Sequence, residues 1–142
     1  MPNILFKTKV NQPLQKVWAG FDAELFKALK PPFVPMTLLR FDGCKTGDEV
    51  HIITAGQRWE AKIVDDWQTD AEVAFVDVGQ LLPWPLRNWR HVHRIVADGE
   101  GCQIVDDITF GTGSRVLDAL LYPLLRAMFG LRRPVYRRLF GG

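Results

Sequence analysis

Cysteine, histidine and long apolar runs are scarce in this chain. Two cysteines and three histidines occur in 142 residues. Cys44 and Cys102 form no close-spaced pair, so a disulfide framework and a Cys-x-x-Cys redox or metal motif are both excluded, and reduced thiols are expected. Charges interrupt every hydrophobic run before the roughly 18 residues that a membrane-spanning helix needs. The opening MPNILFKTKV has neither the apolar stretch nor the small-residue cleavage site of a secretory signal, so a cytoplasmic setting is expected. Gly-x-Ser-x-Gly, phosphate-binding glycine loops and His-Glu-x-x-His are absent. The glycines at 111 and 113 lack the rest of a dinucleotide fingerprint. No cofactor and no metal are expected.

What is present is the composition of a folded globular domain, 47% apolar and 24% charged residues. Disorder would need fewer apolar residues and more net charge. One domain over 1–142 is expected. The net charge of +2 is uneven: from Arg115 onward there are six arginines and one acid, Asp118. Two readings fit that segment. Its arginines face water on a terminal helix and favour that helix's negative end, or they make a peripheral contact with an anionic partner such as lipid headgroups. With no basic-aromatic stripe, nucleic-acid binding is not expected.

Along the chain, NILFKTKV (3–10) alternates as a strand does. Leu14, Val17, Trp18, Phe21, Leu25 and Leu29 then recur at helical spacing, with Asn11 as the expected N-cap and Pro13 in the first turn. Gly20 and the capping type Asp22 divide this stretch into two short helices, and Pro31-Pro32 ends it. Strand-like runs follow at intervals that suit an antiparallel meander: PMTLLRF, EVHIITAG, QRWEAKIVDDW and AEVAFVDVG. Both faces of EVAFVDVG are apolar, so the facing of Phe75 and Asp77 stays open. Trp84 lies between two prolines, where packing within the loop is expected over a role at a pocket rim. From Ser114, an expected N-cap, helical period returns. Val116, Leu117, Leu120, Leu121, Leu124, Leu125 and Met128 form its apolar face, with a kink expected at Pro123 and a kink or break at Pro134.

The most informative stretch is NWRHVHRIVADGEGCQIVDDITF, residues 88–110. Asp98-Gly99 is a strong two-residue hairpin signal. A type I′ turn there sets Ile95 opposite Cys102, His93 opposite Ile104, His91 opposite Asp106 and Trp89 opposite Ile108. Paired residues share a face, so this register sorts an apolar side from a polar one. It leaves Arg90 and Asp107 as an outward pair and turns His91, His93 and Asp106 inward. A one-residue slip would mix the faces. Two histidines at i and i+2 with a carboxylate opposite are also zinc-ligand types, but His51 is the only other histidine and no second cluster completes a set. Three uses remain: a self-satisfied buried network, an acid/base pair of His91 and Asp106, or polar anchors in a mainly apolar pocket.

Taken together, the strand order, PLQKVWAGF after the first strand, LPWPLRNWRHVHRI and the closing amphipathic helix resemble the START-like, or SRPBCC, superfamily over nearly the whole chain. The resemblance implies an α+β helix-grip fold: a curved antiparallel sheet of about seven strands, two short N-terminal helices and one long C-terminal helix. It also implies a small hydrophobic ligand, of lipid or polyketide-like aromatic type, held between sheet and helix; some members catalyse cyclisation there. TAGQRW is shorter and poorer in glycine than the glycine-rich loop of pollen-allergen members, and fold alone does not fix function. The expected pocket is lined by Trp59, Trp89, Ile104, Ile108, Leu120, Leu121 and Leu124, with His91, His93 and Asp106 orienting a polar group of the ligand. The alternative is a cyclase- or dehydratase-type enzyme using His91 and Asp106.

Overall fold

Alternation in the first segment becomes β1 (Asn3–Val10) in the computed structural model, which describes residues 1–141. Ile4, Thr8 and Val10 are buried, and Leu5, Lys7 and Lys9 point to water. Helices α1 (Leu14–Ala19) and α2 (Ala23–Ala28) follow. The N-cap of α1 is Pro13, not Asn11 as expected. Pro13 is extended, and its carbonyl accepts from the Lys16 and Val17 amides. Asp22 caps α2 as expected, accepting from the Leu25 amide at 3.0 Å. The meander then runs through β2 (Met36–Phe41), β3 (Glu49–Thr54), β4 (Gln57–Gln68), β5 (Glu72–Leu81), β6 (Asn88–Asp98) and β7 (Gly101–Gly111).

These strands form one antiparallel sheet in the order β1-β7-β6-β5-β4-β3-β2. Its curvature has local causes. Between Ile63 and Asp65 the pairing of β4 with β5 shifts by one residue, leaving Val64 over, and a second shift lies between Glu60 and Ala61. Another interrupts β2 at Leu38/Arg40. Such bulges bend the strand and increase its twist, and Val64 is thrown outward and exposed.

Two hairpin turns differ in an informative way. At the β3–β4 turn, Ala55 and Gly56 take φ of 49° and 76°, the left-handed pair of a type I′ turn. Glycine adopts this region freely, whereas alanine is strained there. Ala55→Asn, the residue this turn favours before glycine, is therefore expected to raise unfolding free energy by about 0.5–1 kcal/mol. The measurement is a higher urea midpoint at unchanged slope. At the β6–β7 turn only Gly99 has positive φ, at 62°, the pattern of a type II′ turn with glycine first. The turn residues are Gly99 and Glu100, so Asp98 pairs with Gly101. The expected register is corrected by two residues. Ile95 lies opposite Ile104, His93 opposite Asp106, His91 opposite Ile108 and Trp89 opposite Phe110. The expected Arg90–Asp107 pair is replaced by Arg90 opposite Thr109 and Val92 opposite Asp107. A shift of two preserves facing, so His91 and Asp106 are buried as expected.

Ser114 caps the long C-terminal helix, which bends at Leu131 into α3 (Arg115–Gly130) and α4 (Arg132–Phe140). Pro134 has no N–H to give to the Gly130 carbonyl one turn back, and it is tolerated in the first turn of α4. The helix packs across the sheet over two cores. One gathers Val17, Leu25, Ile95, Ile104, Tyr136 and Phe140; the other gathers Ile4, Trp89, Ile108, Phe110 and Leu125. Trp84 does not pack within its loop as expected but is exposed.

Candidate functional site

The grip of the sheet on α3–α4 leaves a cavity of about 200 Å³. Most of its wall is apolar, including Leu25, Phe41, Val50, Ile52, Ile63 and Met128. Trp59 and Trp89 meet edge to face at 4.8 Å between ring centroids on the sheet side. Asp22, Lys30 and Thr54 also border it, but the largest polar cluster is Asp77 on β5, His91 and His93 on β6, and Arg132 and Tyr136 on α4.

The cluster is assembled by register. Asp77 lies directly opposite His91 on the neighbouring strand, and Phe75 lies opposite His93. The two imidazoles stack at 3.5 Å between centroids, with Phe75 on the other side of His93 at 4.2 Å. His93 Nε2 bonds Asp77 Oδ2 at 2.5 Å, and His91 Nε2 bonds Asp106 Oδ1 at 2.9 Å. Asp106 also accepts from Arg132 Nη1 at 3.2 Å and from the Tyr136 hydroxyl at 3.3 Å. The bend at Leu131 makes Arg132 the first residue of α4 and brings it to the strand carboxylate.

Charge and burial compete at each group. Burial pushes the Asp106 carboxyl up, but the Arg132 guanidinium and the His91 hydrogen bond outweigh it and hold Asp106 well below the usual carboxylate range. Asp77 is likewise lowered, with burial overcome chiefly by the His93 hydrogen bond. For His91 desolvation wins, aided by His93, and the pKa falls from 6.5 to about 4 despite two nearby carboxylates. His91 is therefore a neutral imidazole at pH 7. Burial pushes the Cys44 thiol on the cavity wall up to about 12, so it is not a thiolate nucleophile.

Of the residues expected at the pocket, Trp59, Trp89, His91 and His93 line the cavity. Asp106 stands behind His91 rather than on the wall. Ile104 and Ile108 lie inside the two cores, and Leu121 packs on the second of them. Leu120 and Leu124 are corrections: they are 66% and 53% exposed and share an outward stripe with Val116. The inner face of the helix is instead Leu125, Met128, Phe129, Arg132 and Tyr136. The reading of water-facing arginines is also corrected for part of the segment. Arg132 is in the cluster and Arg133 donates to the Lys7 carbonyl, whereas Arg126, over the Phe6 ring, stays exposed.

Asp77, Phe75, Arg132 and Tyr136 were not assigned to the site from sequence. For Asp77 and Phe75 the available signal was a polar residue in a strand apolar on both faces, next to the histidine strand. An arginine just before a helix-breaking proline carries no comparable signal.

No family model matches this sequence, and no curated protein matches it. Solved structures do match in shape. A protein from Thermobifida fusca aligns at TM-score 0.66 with 20% identity, covering 98% of this chain and 95% of that one. A protein from Chromobacterium violaceum aligns at TM-score 0.65 with 12% identity over 99% and 97%. Ara h 8.0201 aligns at TM-score 0.56 with 12% identity over 94% and 96%. The chain has the helix-grip fold. This is the architecture that the START-like resemblance implies, α+β with the sheet wrapped on the C-terminal helix. At these identities the helix grip speaks for the architecture and leaves the chemistry to the cavity. No helix among the described residues is long and apolar enough to cross a membrane.

Proposed function

We propose that the protein binds a small, mainly apolar molecule in the cavity between sheet and α3–α4, oriented by a polar group of the ligand on the Asp77–His93 pair. The observation that carries this reading is the cavity itself: about 200 Å³, apolar and aromatic over most of its wall, with Asp77, His91, His93, Arg132 and Tyr136 converging on one part of it. A cavity of about 150 Å³ lined by aliphatic and aromatic groups takes up benzene. The size therefore favours a compact aromatic or alicyclic molecule over a long acyl chain. Asp77 uses Oδ2 to accept from His93, and among the described residues its Oδ1 makes no hydrogen bond. A ligand hydroxyl can donate to that oxygen.

Tryptophan fluorescence from Trp59 and Trp89 offers the test, with 1-naphthol and naphthalene as probes and chelator present. Naphthol is expected to bind about 3–10 times more tightly, the worth of one net hydrogen bond. Ala61→Leu, which fills part of the cavity, is expected to weaken both about tenfold. The reading fails if neither probe binds, or if Ala61→Leu changes nothing.

An acid/base role is the rival, favoured by the bond from Asp106 that orients His91. A general base works best with a pKa near the working pH, and His91 at about 4 is a weak base at neutrality. Binding is the better supported reading.

A further inference from the structure

The cluster of Asp77, His91 and His93 has a property that ligand anchoring does not use. One ligand-type atom from each residue lies within 4.8 Å of the others, and all three residues sit on the paired central strands β5 and β6. We propose that Asp77, His91 and His93 bind one divalent transition-metal ion of the zinc class, through the Asp77 carboxylate, His91 Nδ1 and His93 Nε2.

Geometry supports this assignment. Asp77 Oδ2 lies 2.5 Å from His93 Nε2 and 3.9 Å from His91 Nδ1. Zinc bonds of about 2.0–2.1 Å in a tetrahedron hold ligand atoms roughly 3.3 Å apart. One distance is short and the other long, and the two rings stack at 3.5 Å. Holding one ion in the plane of both rings therefore takes a rotation of the Asp77 carboxylate and a turn of the His93 ring out of its stack, with neither strand displaced.

The second argument concerns protons. His91 Nε2 faces the Asp106 carboxylate at 2.9 Å. A carboxylate accepts only, so the proton stays on Nε2 and the Nδ1 lone pair is free on the side of Asp77. Metal-bound histidines almost always give their other N–H to a carboxylate, a backbone carbonyl or water. Here the Asp106 carboxylate is itself fixed by Arg132 and Tyr136. At His93 the proton facing Asp77 must leave Nε2. His93 Nδ1 is the other place on the ring for a proton, and it faces Asp106 Oδ1 at 3.9 Å.

Charge and donor type narrow the ion. Counting carboxylates and guanidinium alone, Asp77 and Asp106 against Arg132 leave one net negative charge beside the two imidazoles. Two imidazoles and one carboxylate suit zinc, iron(II), cobalt or nickel; calcium and magnesium favour sets made of oxygen. Three protein ligands leave coordination positions open, as in catalytic-type sites. All three residues line the cavity, so an open position can face its contents.

The test uses metal alone. Chelator-stripped protein is titrated with cobalt(II), followed by visible d–d absorption, and zinc stoichiometry is read by elemental analysis after gel filtration. One ion per chain is expected, displaced from cobalt by zinc. His93→Ala and the near-isosteric Asp77→Asn are each expected to weaken binding at least tenfold. Asp106→Asn is expected to weaken it about 10–100-fold, the mark of the group behind a ligand. His51→Ala, outside the cluster, should bind as the wild type does. Circular dichroism of each variant separates lost binding from lost folding. The assignment is overturned if excess cobalt leaves the spectrum unchanged, or if binding survives in folded Asp77→Asn and His93→Ala. The naphthol measurement, made with chelator present, stands or falls separately.

Discussion

Arg132→Met is expected to destabilise the protein by about 3–5 kcal/mol, the usual cost of stripping one partner from a buried ion pair. Asp106 is 2% exposed, and Arg132 is its cationic partner at 3.2 Å. Methionine fills similar space without charge, so packing is nearly conserved and the loss isolates electrostatics. With Arg132 gone, the carboxylate keeps only the neutral His91 ring and the Tyr136 hydroxyl, and it must either stay charged without compensation or take up a proton. Asp106→Asn alone also breaks the pair, but Arg132 borders the cavity and recovers part of its solvation there. The double variant, Arg132→Met with Asp106→Asn, is expected to be more stable than Arg132→Met alone, because neither member of this pair is then left charged without its partner. Urea unfolding of the four proteins gives the coupling energy directly. Simple additivity would mean that Arg132 holds the bend between α3 and α4 by packing and not by charge.

The same residues show which parts of the fold and site were legible in the sequence. Strand alternation and the Asp98-Gly99 reversal are local signals, and they set facing correctly. The register was missed by two residues because the tight turn centres on Gly99 and Glu100, and parity survives such a shift. The helix was harder. Val116, Leu117, Leu120, Leu121, Leu124 and Leu125 span a continuous arc of about half the circumference of α3, wider than the stripe the sheet buries, so period alone cannot choose which edge of it turns inward. Only the sheet's curvature does, and that depends on bulges such as the one at Val64, which leave no clear mark in a single sequence. Asp77 and Arg132 join the site through contacts far apart in the chain. Asp77 lies in a strand apolar on both sides, and Arg132 is one of six similar arginines near the C-terminus. Neither spacing nor composition distinguishes the one that turns inward.

Between pH 6.5 and pH 4 the metal-free protein is expected to lose about 3 kcal/mol of stability through His91 alone. In the unfolded chain this imidazole takes up a proton below its ordinary pKa of 6.5; in the folded chain it resists until about 4. Across that window the unfolded state binds more protons, so stability falls as pH falls. Each unit is worth about 1.36 kcal/mol, which sets the size of the loss. The carboxylates act in the same direction but lower down. Asp106 and Asp77 are held below their ordinary value, so their contribution is fully present above the unfolded carboxylate range and is lost progressively as pH falls from about 5. Above about pH 5 the two contributions are therefore separable. His91→Gln keeps a donor towards Asp106 but cannot titrate. Its stability is expected to fall much less than that of the wild type between pH 6.5 and 5, with the carboxylate loss following at lower pH in both. Urea midpoints in chelator-containing buffers at half-unit pH steps make the comparison. A wild-type profile flat between pH 6.5 and 5, or one whose slope there persists in His91→Gln, would show that His91 is not the group that desolvation holds neutral. Because the same desolvation leaves Nδ1 unprotonated beside Asp77, this titration also measures how much of the cluster's readiness to accept a ligand is built into the fold.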